Sequence, residues 1–243
     1  MCAHRDDGFV MPAIHSVLAQ TEGAFEFIIV LNACPDSLEQ RIRSLDDPRI
    51  VVHRTEIGQL AFNLNLGLHF SRGRYIVRFD ADDLCHPERL RWTREILAAH
   101  PEADVVAGSC RTISEAGEVL GVRDIGNSAD WRRTLRWKNP FVHPATTIRR
   151  DRLLAFKGYA NGLRSEDYDL WLRMAESPDV TVVTSSLPMI DYRVSPQQSS
   201  GSLLGYAEVA GHMLRSLLVA PSVAKLLGLL VAIGKTIGRA MRR

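Results

Sequence analysis

Three carboxylates follow an apolar stretch of the chain and could together hold a divalent cation. Asp80, Asp82 and Asp83 come directly after residues 75–79, which are typical of a buried strand in an α/β sheet. In open α/β sheets, ligands bind at the carboxyl ends of the strands, where these acids would lie. Carboxylates this close repel one another, whereas Mg²⁺ or Mn²⁺ accepts oxygen ligands and commonly joins protein carboxylates to substrate phosphates. The pattern therefore indicates a metal–diphosphate site; the alternative is a solvated acidic turn before a helix that begins near residues 86–89.

The elements that must position these acids alternate between strands and helices. Apolar runs at 25–31, 50–53, 75–79 and 105–108 predict strands, and apolar residues at helical spacing predict helices between them. This alternation predicts a largely parallel sheet with helices on both faces. After about residue 110 the pattern loosens, and we expect a mixed sheet there.

Composition places the chain among ordinary globular proteins. Of its 243 residues, 46% are hydrophobic and 24% are charged, which suits one large domain or a domain with an appendage. The formal net charge of +2 is too small to indicate nucleic-acid binding, and we expect none. Four cysteines lie far apart without metal-ligand spacing, which favours a reducing compartment. The polar, charged first residues do not resemble a secretory signal, so we expect a cytoplasmic location.

The beginning of the chain departs from the alternating pattern. A sheet of this kind normally opens with a strand, whereas the first five residues lead almost directly into a helix at 11–20. We therefore expect the first strand to be missing or nearly so, through a reading frame that starts late or a shortened chain. A fold that simply starts with a helix is the alternative.

Several separated motifs resemble glycosyltransferase family 2, whose members have the GT-A fold and use nucleotide-diphosphate sugars. In chain order they are SVLAQT at 16–21, a second strand with its nucleotide loop at 25–36, AFNLNLGL at 61–68, GRYIVRFDADD at 73–83 with PERL at 87–90, FVHP at 141–144 and SEDYDLWLR at 165–173. The resemblance covers about residues 1–200. It implies an α/β, Rossmann-like GT-A fold with a mostly parallel central sheet and a catalytic domain at 1–202. The nucleotide-binding part would occupy about 1–110 and the acceptor-binding part about 111–202.

The resemblance also implies roles for the acids. Asp82 would bind Mg²⁺ or Mn²⁺, Asp80 would share the metal or bind the ribose, and Asp83 would support the loop. The cation would stabilise charge on the departing nucleoside diphosphate. Asp167 would take the proton from the acceptor hydroxyl as general base, with Glu166 as the alternative. One base without a paired nucleophile predicts inversion at the anomeric carbon. The competing explanation is that Glu166 and Asp167 only stabilise the start of a helix through its dipole.

Further site residues are implied by the same resemblance. Asn32 and Asn63 would contact the nucleotide, Arg193 would clamp phosphate, and His143 and Trp171 would contact the acceptor. We therefore expect a metal-dependent enzyme that moves a sugar from a nucleotide-diphosphate donor to a saccharide or lipid-linked acceptor. The pathway expected is synthesis of a cell-surface polysaccharide, lipopolysaccharide or glycolipid.

Departures from the family pattern keep alternatives open. Leu31 and Asn32 stand where relatives usually carry Asp, and Ser195 stands where many carry a His. A catalytically impaired nucleotide-sugar-binding module is therefore the alternative to an enzyme. A nucleotidyltransferase is a weaker third reading, because no Gly-rich, Lys-containing triphosphate loop occurs near the N-terminus.

The stretch at 203–243 predicts an amphipathic, basic helical tail. Apolar residues recur there at helical spacing, Pro221 breaks the pattern once, and the basic end includes Lys235, Arg242 and Arg243. The apolar stretch is too short and too rich in glycine to indicate a transmembrane span. An apolar face with a basic end suits a helix at an anionic membrane surface, so we expect peripheral contact with the inner face of the cell membrane. Packing on the catalytic domain or a dimer contact is the alternative.

Overall fold

The computed structural model describes residues 1–126, 130–160, 162–195 and 202–241. Within these ranges the strands are β1 (Cys2–Ala3), β2 (Phe27–Asn32), β3 (Ile50–Thr55), β4 (Tyr75–Val77), β5 (Leu84–Cys85), β6 (Val105–Ile113), β7 (Val119–Arg123), β8 (Thr146–Arg149) and β9 (Val182–Arg193). The helices there are α1 (Val10–Leu18), α2 (Asp36–Arg43), α3 (Leu60–Phe70), α4 (Arg89–Ala99), α5 (Trp131–Thr134), α6 (Arg150–Ala155), α7 (Glu166–Ala175), α8 (Leu203–Val219) and α9 (Val223–Ala240). A short 3₁₀ helix spans His143–Ala145.

The first three strands form a parallel sheet in the order β1-β2-β3. β2 pairs with β3 along its whole length, from Phe27 opposite Ile50 to Asn32 opposite Thr55. The apolar run of β2 is buried because helices cover it, and Ile29 packs in one core with residues of α1 and α2. Asn32 consequently lies at the carboxyl end of a central strand.

A first strand is present, but it is only two residues long. Cys2 pairs with Val30 and Ala3 with Leu31, both in parallel. The Met1 ammonium donates a hydrogen bond to the carbonyl of Ile28 at 2.9 Å, where a longer strand would place a backbone N–H. The first strand was expected to be missing or nearly so, and the structure shows the second of these, a strand of two residues.

A groove lies beside this short strand. β1 pairs with only part of β2, and β4, which pairs with β8 on one edge, lines the groove from the opposite side. The cavity measures about 450 Å³, and its walls include Phe27 and Ile28 of β2 together with Ile76 and Val77 of β4. The first sheet and β4 of the second sheet therefore both border this groove.

The second sheet is mixed. Its order is β4-β8-β6-β9-β5, with β7 also paired to β6. Among the described strands of this sheet, only β6 and β9 pair in parallel. The β6–β7 pair is antiparallel because its connection is short. A turn at Ser114 and Gly117, with Gly117 at φ +87, closes this connection, and so short a connection joins only antiparallel neighbours. The predicted α/β fold is confirmed, and so is the mixed sheet after residue 110. The predicted parallel pairing holds for the first sheet and the β6–β9 pair.

The predicted tail forms two helices that pack on the rest of the molecule. α8 ends at Val219 and α9 begins at Val223, so the break expected at Pro221 is confirmed. Met213 and Leu229 are buried in the same core as Trp171 of α7. Arg242 and Arg243 lie outside the described residues. None of the described helices combines the length and the apolar character needed to cross a membrane.

Candidate active site

The acidic turn between β4 and β5 is held by a buried arginine and by β9. The Arg78 side chain is only 4% exposed, and its Nη2 donates to Asp80 Oδ1 at 2.6 Å. Asp83 is buried, and its Oδ1 accepts a hydrogen bond from the backbone N–H of Arg193 at 2.9 Å. Asp83 therefore ties the turn to the end of β9.

Asp80 and Asp82 line the central cleft. Burial and the nearby Asp80 carboxylate raise the pKa of Asp82 to about 6. Among the residues that the structure describes, no three His, Cys, Asp or Glu side chains form a group that could enclose a metal. Mg²⁺ commonly binds through one or two carboxylates plus substrate phosphates, without a closed protein cage. The two acids therefore fit a divalent cation that shares its ligands with a diphosphate.

Arg193 supports the turn from behind. Its Nε donates to the carbonyl of Asp82 at 2.8 Å, and its Nη1 donates to the carbonyls of Ser114 and Glu115 at 3.0 and 2.8 Å. The guanidinium also packs over the ring of Phe9, 4.4 Å from its centroid. The Arg193 guanidinium is thus buried and bonded to backbone carbonyls. The predicted phosphate contact of Arg193 is therefore corrected to a role in positioning the turn.

Two amides, those of Asn32 and Asn63, line the cleft. Asn63 Nδ2 donates to the carbonyl of Ile57 at 3.0 Å. Within the described part of the chain, the Oδ1 atoms of Asn32 and Asn63 are buried without a hydrogen-bond partner. A buried acceptor without a partner costs about 1–3 kcal/mol, which a ligand that donates hydrogen bonds would recover. Both residues therefore stay candidates for contacts to a base or ribose.

Glu166 and Asp167 open α7 and line the same cleft. Asp167 Oδ2 accepts from Asn139 Nδ2 at 2.6 Å, and its Oδ1 accepts from the backbone N–H of Tyr168 at 2.7 Å. Burial raises the pKa of Asp167, while these two donors act in the opposite direction. Burial and the neighbouring Asp167 raise the pKa of Glu166 to about 7. The two acids therefore differ. Asp167 is fixed by two hydrogen-bond donors, whereas Glu166 has a pKa near neutral pH.

The two residues predicted to contact an acceptor lie in different environments. His143 lines the cleft, and its Nε2 contacts the hydroxyl of Tyr159 at 3.0 Å. Burial, with Arg78 acting in the same direction, holds the pKa of His143 well below its usual range, so the ring is neutral. Trp171 is 0% exposed and packs edge-on against Phe141, with ring centroids 5.2 Å apart. The predicted acceptor contact of Trp171 is therefore wrong, because its ring has no surface to offer a ligand.

Four of the predicted acids line one cleft of about 1180 Å³: Asp80, Asp82, Glu166 and Asp167. The acidic turn forms part of its wall, and the start of α7 forms another part. α8 and α9 also contribute, with side chains that include Tyr206, Met213 and Lys235. The stretch predicted to be a tail thus lines the candidate active site.

Sequence reasoning missed two residues of the site. Asn139 anchors Asp167, but no pattern around a loop residue next to Pro140 indicates such a contact. The role of Arg78 could have been predicted, because Arg78 is the single charged residue in the apolar run at 75–79. A charge in a buried strand indicates that an oppositely charged partner lies nearby.

Comparison with known proteins shows which family the chain resembles. The chain matches the model of Glycosyl transferase family 2 over residues 1–156. It is 33% identical over 234 residues to the O-antigen biosynthesis glycosyltransferase WbnJ of Escherichia coli, covering 95% of this chain and 92% of that protein. It is 30% identical over 154 residues to the amylovoran biosynthesis glycosyltransferase AmsE of Erwinia amylovora, covering 60% of this chain and 58% of the relative.

Solved structures share the fold at low sequence identity. S. aureus TarS 1-349 in complex with UDP-GlcNAc superimposes with a TM-score of 0.69 at 13% identity, covering 98% of this chain and 80% of that one. The mannosyltransferase PcManGT from Pyrobaculum calidifontis, in complex with GDP-Man and Mn²⁺, gives a TM-score of 0.63 at 16% identity, covering 99% and 74%. The family model spans more than half of the chain and WbnJ aligns along nearly all of it, so this chain belongs to glycosyltransferase family 2.

Proposed function

We propose that this chain transfers a sugar from a nucleotide-diphosphate donor to an acceptor hydroxyl, with inversion, in the synthesis of a cell-surface polysaccharide, lipopolysaccharide or glycolipid. The observation that carries the proposal is the shared cleft, into which both the acidic turn and the start of α7 face. The names of WbnJ and AmsE, which refer to O-antigen and amylovoran biosynthesis, support a surface saccharide as product.

Asp82 and Asp80 are the residues that would hold Mg²⁺ or Mn²⁺. Bound there, the cation would stabilise the negative charge that develops on the leaving diphosphate. The Mn²⁺ in the PcManGT complex supports a divalent ion. Arg78 fixes the Asp80 carboxylate, and Arg193 fixes the Asp82 backbone, so the acids are oriented before substrate arrives.

A nucleotide would lie against the carboxyl ends of the first sheet. Asn32 and Asn63 offer it amide oxygens that lack protein partners. Both amides are uncharged, so they can accept hydrogen bonds from several bases or from ribose without selecting by charge. TarS with UDP-GlcNAc and PcManGT with GDP-Man support a nucleotide-sugar donor and leave the base open between uracil and guanine.

Asp167 would remove the proton from the acceptor hydroxyl. A general base must be both ionised and well oriented, and the donors from Asn139 and Tyr168 favour the charged carboxylate and fix its plane. A single base on the acceptor side activates that hydroxyl for direct displacement of the diphosphate, which inverts the anomeric carbon. Glu166 is the alternative base.

The acceptor end of the cleft is basic. Arg136, Lys138, Arg164 and Lys235 line it, and within the described ranges none of the four forms an ion pair. Cations without acidic partners favour a ligand that carries negative charge. This arrangement supports a phosphate-bearing acceptor, such as a lipid-linked saccharide.

The outer side of α9 supports peripheral contact with the inner face of the cell membrane. Leu227, Leu230 and Ile237 are each about half exposed, at 49%, 55% and 54%. Arg239 lies in the last turn of the same helix. Exposed apolar residues next to basic ones are typical of helices that lie on an anionic bilayer.

A panel of nucleotide sugars tests the proposed function. The full chain is mixed with each donor plus Mn²⁺, Mg²⁺ or EDTA, and both the melting temperature and the release of nucleoside diphosphate to a phosphorylated saccharide acceptor are measured. We expect at least one donor to raise the melting temperature only when metal is present. Asp82→Asn should abolish that shift, and the exposed Asp36→Asn control should not.

The outcomes separate the two functions. Turnover with an inverted product supports the enzyme. Metal-dependent donor binding without turnover on any acceptor would favour the impaired binding module. Equal shifts with EDTA and with metal would overturn the proposed metal site.

A further inference from the structure

Helix α8 forms hydrogen bonds with residues 163–165, which directly precede the two candidate bases. The Glu208 carboxylate accepts hydrogen bonds from three consecutive residues. Its Oε1 accepts from the backbone N–H of Leu163 at 2.8 Å, and its Oε2 accepts from the N–H of Arg164 at 2.9 Å and from Ser165 Oγ at 2.7 Å. His212, one turn further along α8, contacts Ser165 Oγ through Nε2 at 3.0 Å. One carboxylate therefore fixes the whole approach to α7.

A second contact lies on the other side of the candidate bases. Asp169 is 0% exposed, and its Oδ1 pairs with Nη2 of Arg215 from α8 at 2.6 Å. Its Oδ2 accepts from Arg173 Nε at 2.8 Å. Residues 166 and 167 are thus bracketed by two charged contacts, at Ser165 and Asp169, that both originate in α8.

The turn before α7 has little room to adjust. Gly162 has φ +100, a conformation that residues with side chains rarely adopt. A Cβ placed on Gly162 would lie 2.9 Å from the backbone nitrogen of Glu166. Because this turn is tightly packed against the first residue of α7, a shift in residues 163–165 would be transmitted to that residue.

We propose that Glu208 of α8 is a positioning residue for catalysis, which sets the placement of the Glu166–Asp167 pair in the cleft by fixing residues 163–165. The inference rests on the proposed role of that pair as the source of the general base. Displacement of a reacting group by about 1 Å can lower a rate by about 100-fold, so a contact that fixes its backbone affects turnover. Donor binding relies on other residues, at the acidic turn and the end of β2, and should be spared.

The test compares Glu208→Gln with a matched control, Glu176→Gln, in the full chain. Glu176 also joins the end of α7 to the tail, by accepting from Ser216 Oγ at 2.7 Å and from Lys225 Nζ at 3.2 Å, but it lies at the far end of the helix from the bases. Glutamine at 208 has one acceptor oxygen and one amide that donates, so it cannot satisfy three donors. The quantities measured are kcat, the KM for acceptor, the Kd for donor and the melting temperature.

We expect Glu208→Gln to lower kcat about 10-fold or more while the donor Kd stays within about 2-fold. Glu176→Gln should change kcat less than about 2-fold, even if it lowers the melting temperature as much. Equal kcat for the two variants would overturn the positioning role. If Glu208→Gln does not fold, Ser165→Ala and Arg215→Lys take its place, since each removes part of the two contacts. Both should show the same loss of kcat at unchanged donor Kd. Normal kcat in both would overturn the positioning role. A wild-type chain that binds donor but shows no turnover would contradict the proposed function itself, which is a separate result.

Discussion

Asn139 donates a hydrogen bond from Nδ2 to Asp167 Oδ2 at 2.6 Å, across 28 positions of sequence. The other oxygen of Asp167 is held by the N–H of Tyr168. Among the described residues, the backbone N–H of Glu166 itself contacts its carboxylate, and no side chain is recorded as a donor to it. The two adjacent acids of the cleft therefore differ in the hydrogen bonds that their carboxylates accept, and this difference can be tested.

The first prediction concerns the base. Asp167→Asn keeps the shape of the side chain but cannot accept a proton, so transfer should fall by about 10²-fold or more. Donor binding should stay within about 2-fold, because the base acts on the acceptor. The measurements are kcat and calorimetric donor affinity. If Glu166→Gln abolishes transfer instead, and the pH–rate profile loses an ionisation near 7, then Glu166 is the base.

The second prediction concerns the cost of burying Glu166. Its pKa is raised from 4.5 to about 7, so the folded state favours the neutral acid. The associated stability is fully present below pH 4.5 and is lost as the pH rises through 7. Glu166→Gln should therefore be more stable than the parent above pH 7, by about 1–3 kcal/mol, and should differ least near pH 4.5. Thermal unfolding from pH 4.5 to 8 measures this, with the exposed Glu118→Gln as control. A difference that is constant across this range would contradict the prediction.

The third prediction concerns Arg193. Arg193→Lys removes the planar group that donates to three carbonyls and packs on Phe9. The acidic turn should loosen, and metal-dependent donor affinity should fall by about 10-fold, while stability falls by about 1–3 kcal/mol. Arg111→Lys is the control, since Arg111 pairs with Asp191 at a more exposed position on the neighbouring strand. Unchanged donor affinity in Arg193→Lys would refute its positioning of the turn.

The fourth prediction concerns the groove beside β1. Burial lowers the pKa of the Met1 ammonium, because a charge is held inside the fold. An added N-terminal segment of three apolar, strand-forming residues would place a neutral amide there and fill the cavity between β2 and β4. We expect a rise in melting temperature of several degrees, from about 1–3 kcal/mol of added stability. A matched extension of three polar residues should raise it less. If both extensions lower the melting temperature, the groove does not accept a strand.

The fifth prediction concerns membrane contact. The full chain should co-sediment with vesicles rich in phosphatidylglycerol at low salt. Replacing Leu227 and Leu230 with Ser should reduce binding at all salt concentrations, because it removes the apolar part. Arg239→Gln should remove about 1 kcal/mol of binding free energy, an effect that fades at high salt. A full chain that stays in the supernatant at low salt would show that α9 does not bind lipid.

The sequence by itself determined the class of fold and the position of the acids. The run at 75–79 followed by Asp80, Asp82 and Asp83 predicted a strand that ends at a ligand site, and SEDYDLWLR predicted a helix that begins with an acidic pair. The strand and the helix start were found at the expected places, and Asp80 and Asp82 line the same cleft as the start of α7. Such features are short-range: a strand end or a helix start is encoded by the order of polar and apolar residues within about ten positions.

Only the tertiary structure decided which side chains face the cleft. Trp171 and Arg193 occur in the expected motifs, yet one is enclosed by the core and the other is committed to backbone carbonyls. Asn139 and Glu208 carry no local signal, yet they hold the start of α7 across 28 and about 45 positions. Direction and burial depend on elements that are distant in sequence and become neighbours only when the sheets and helices pack. The order of residues in the sequence therefore identifies which chemical groups are present. Packing decides whether each side chain lies in the cleft, in the core or in a supporting contact.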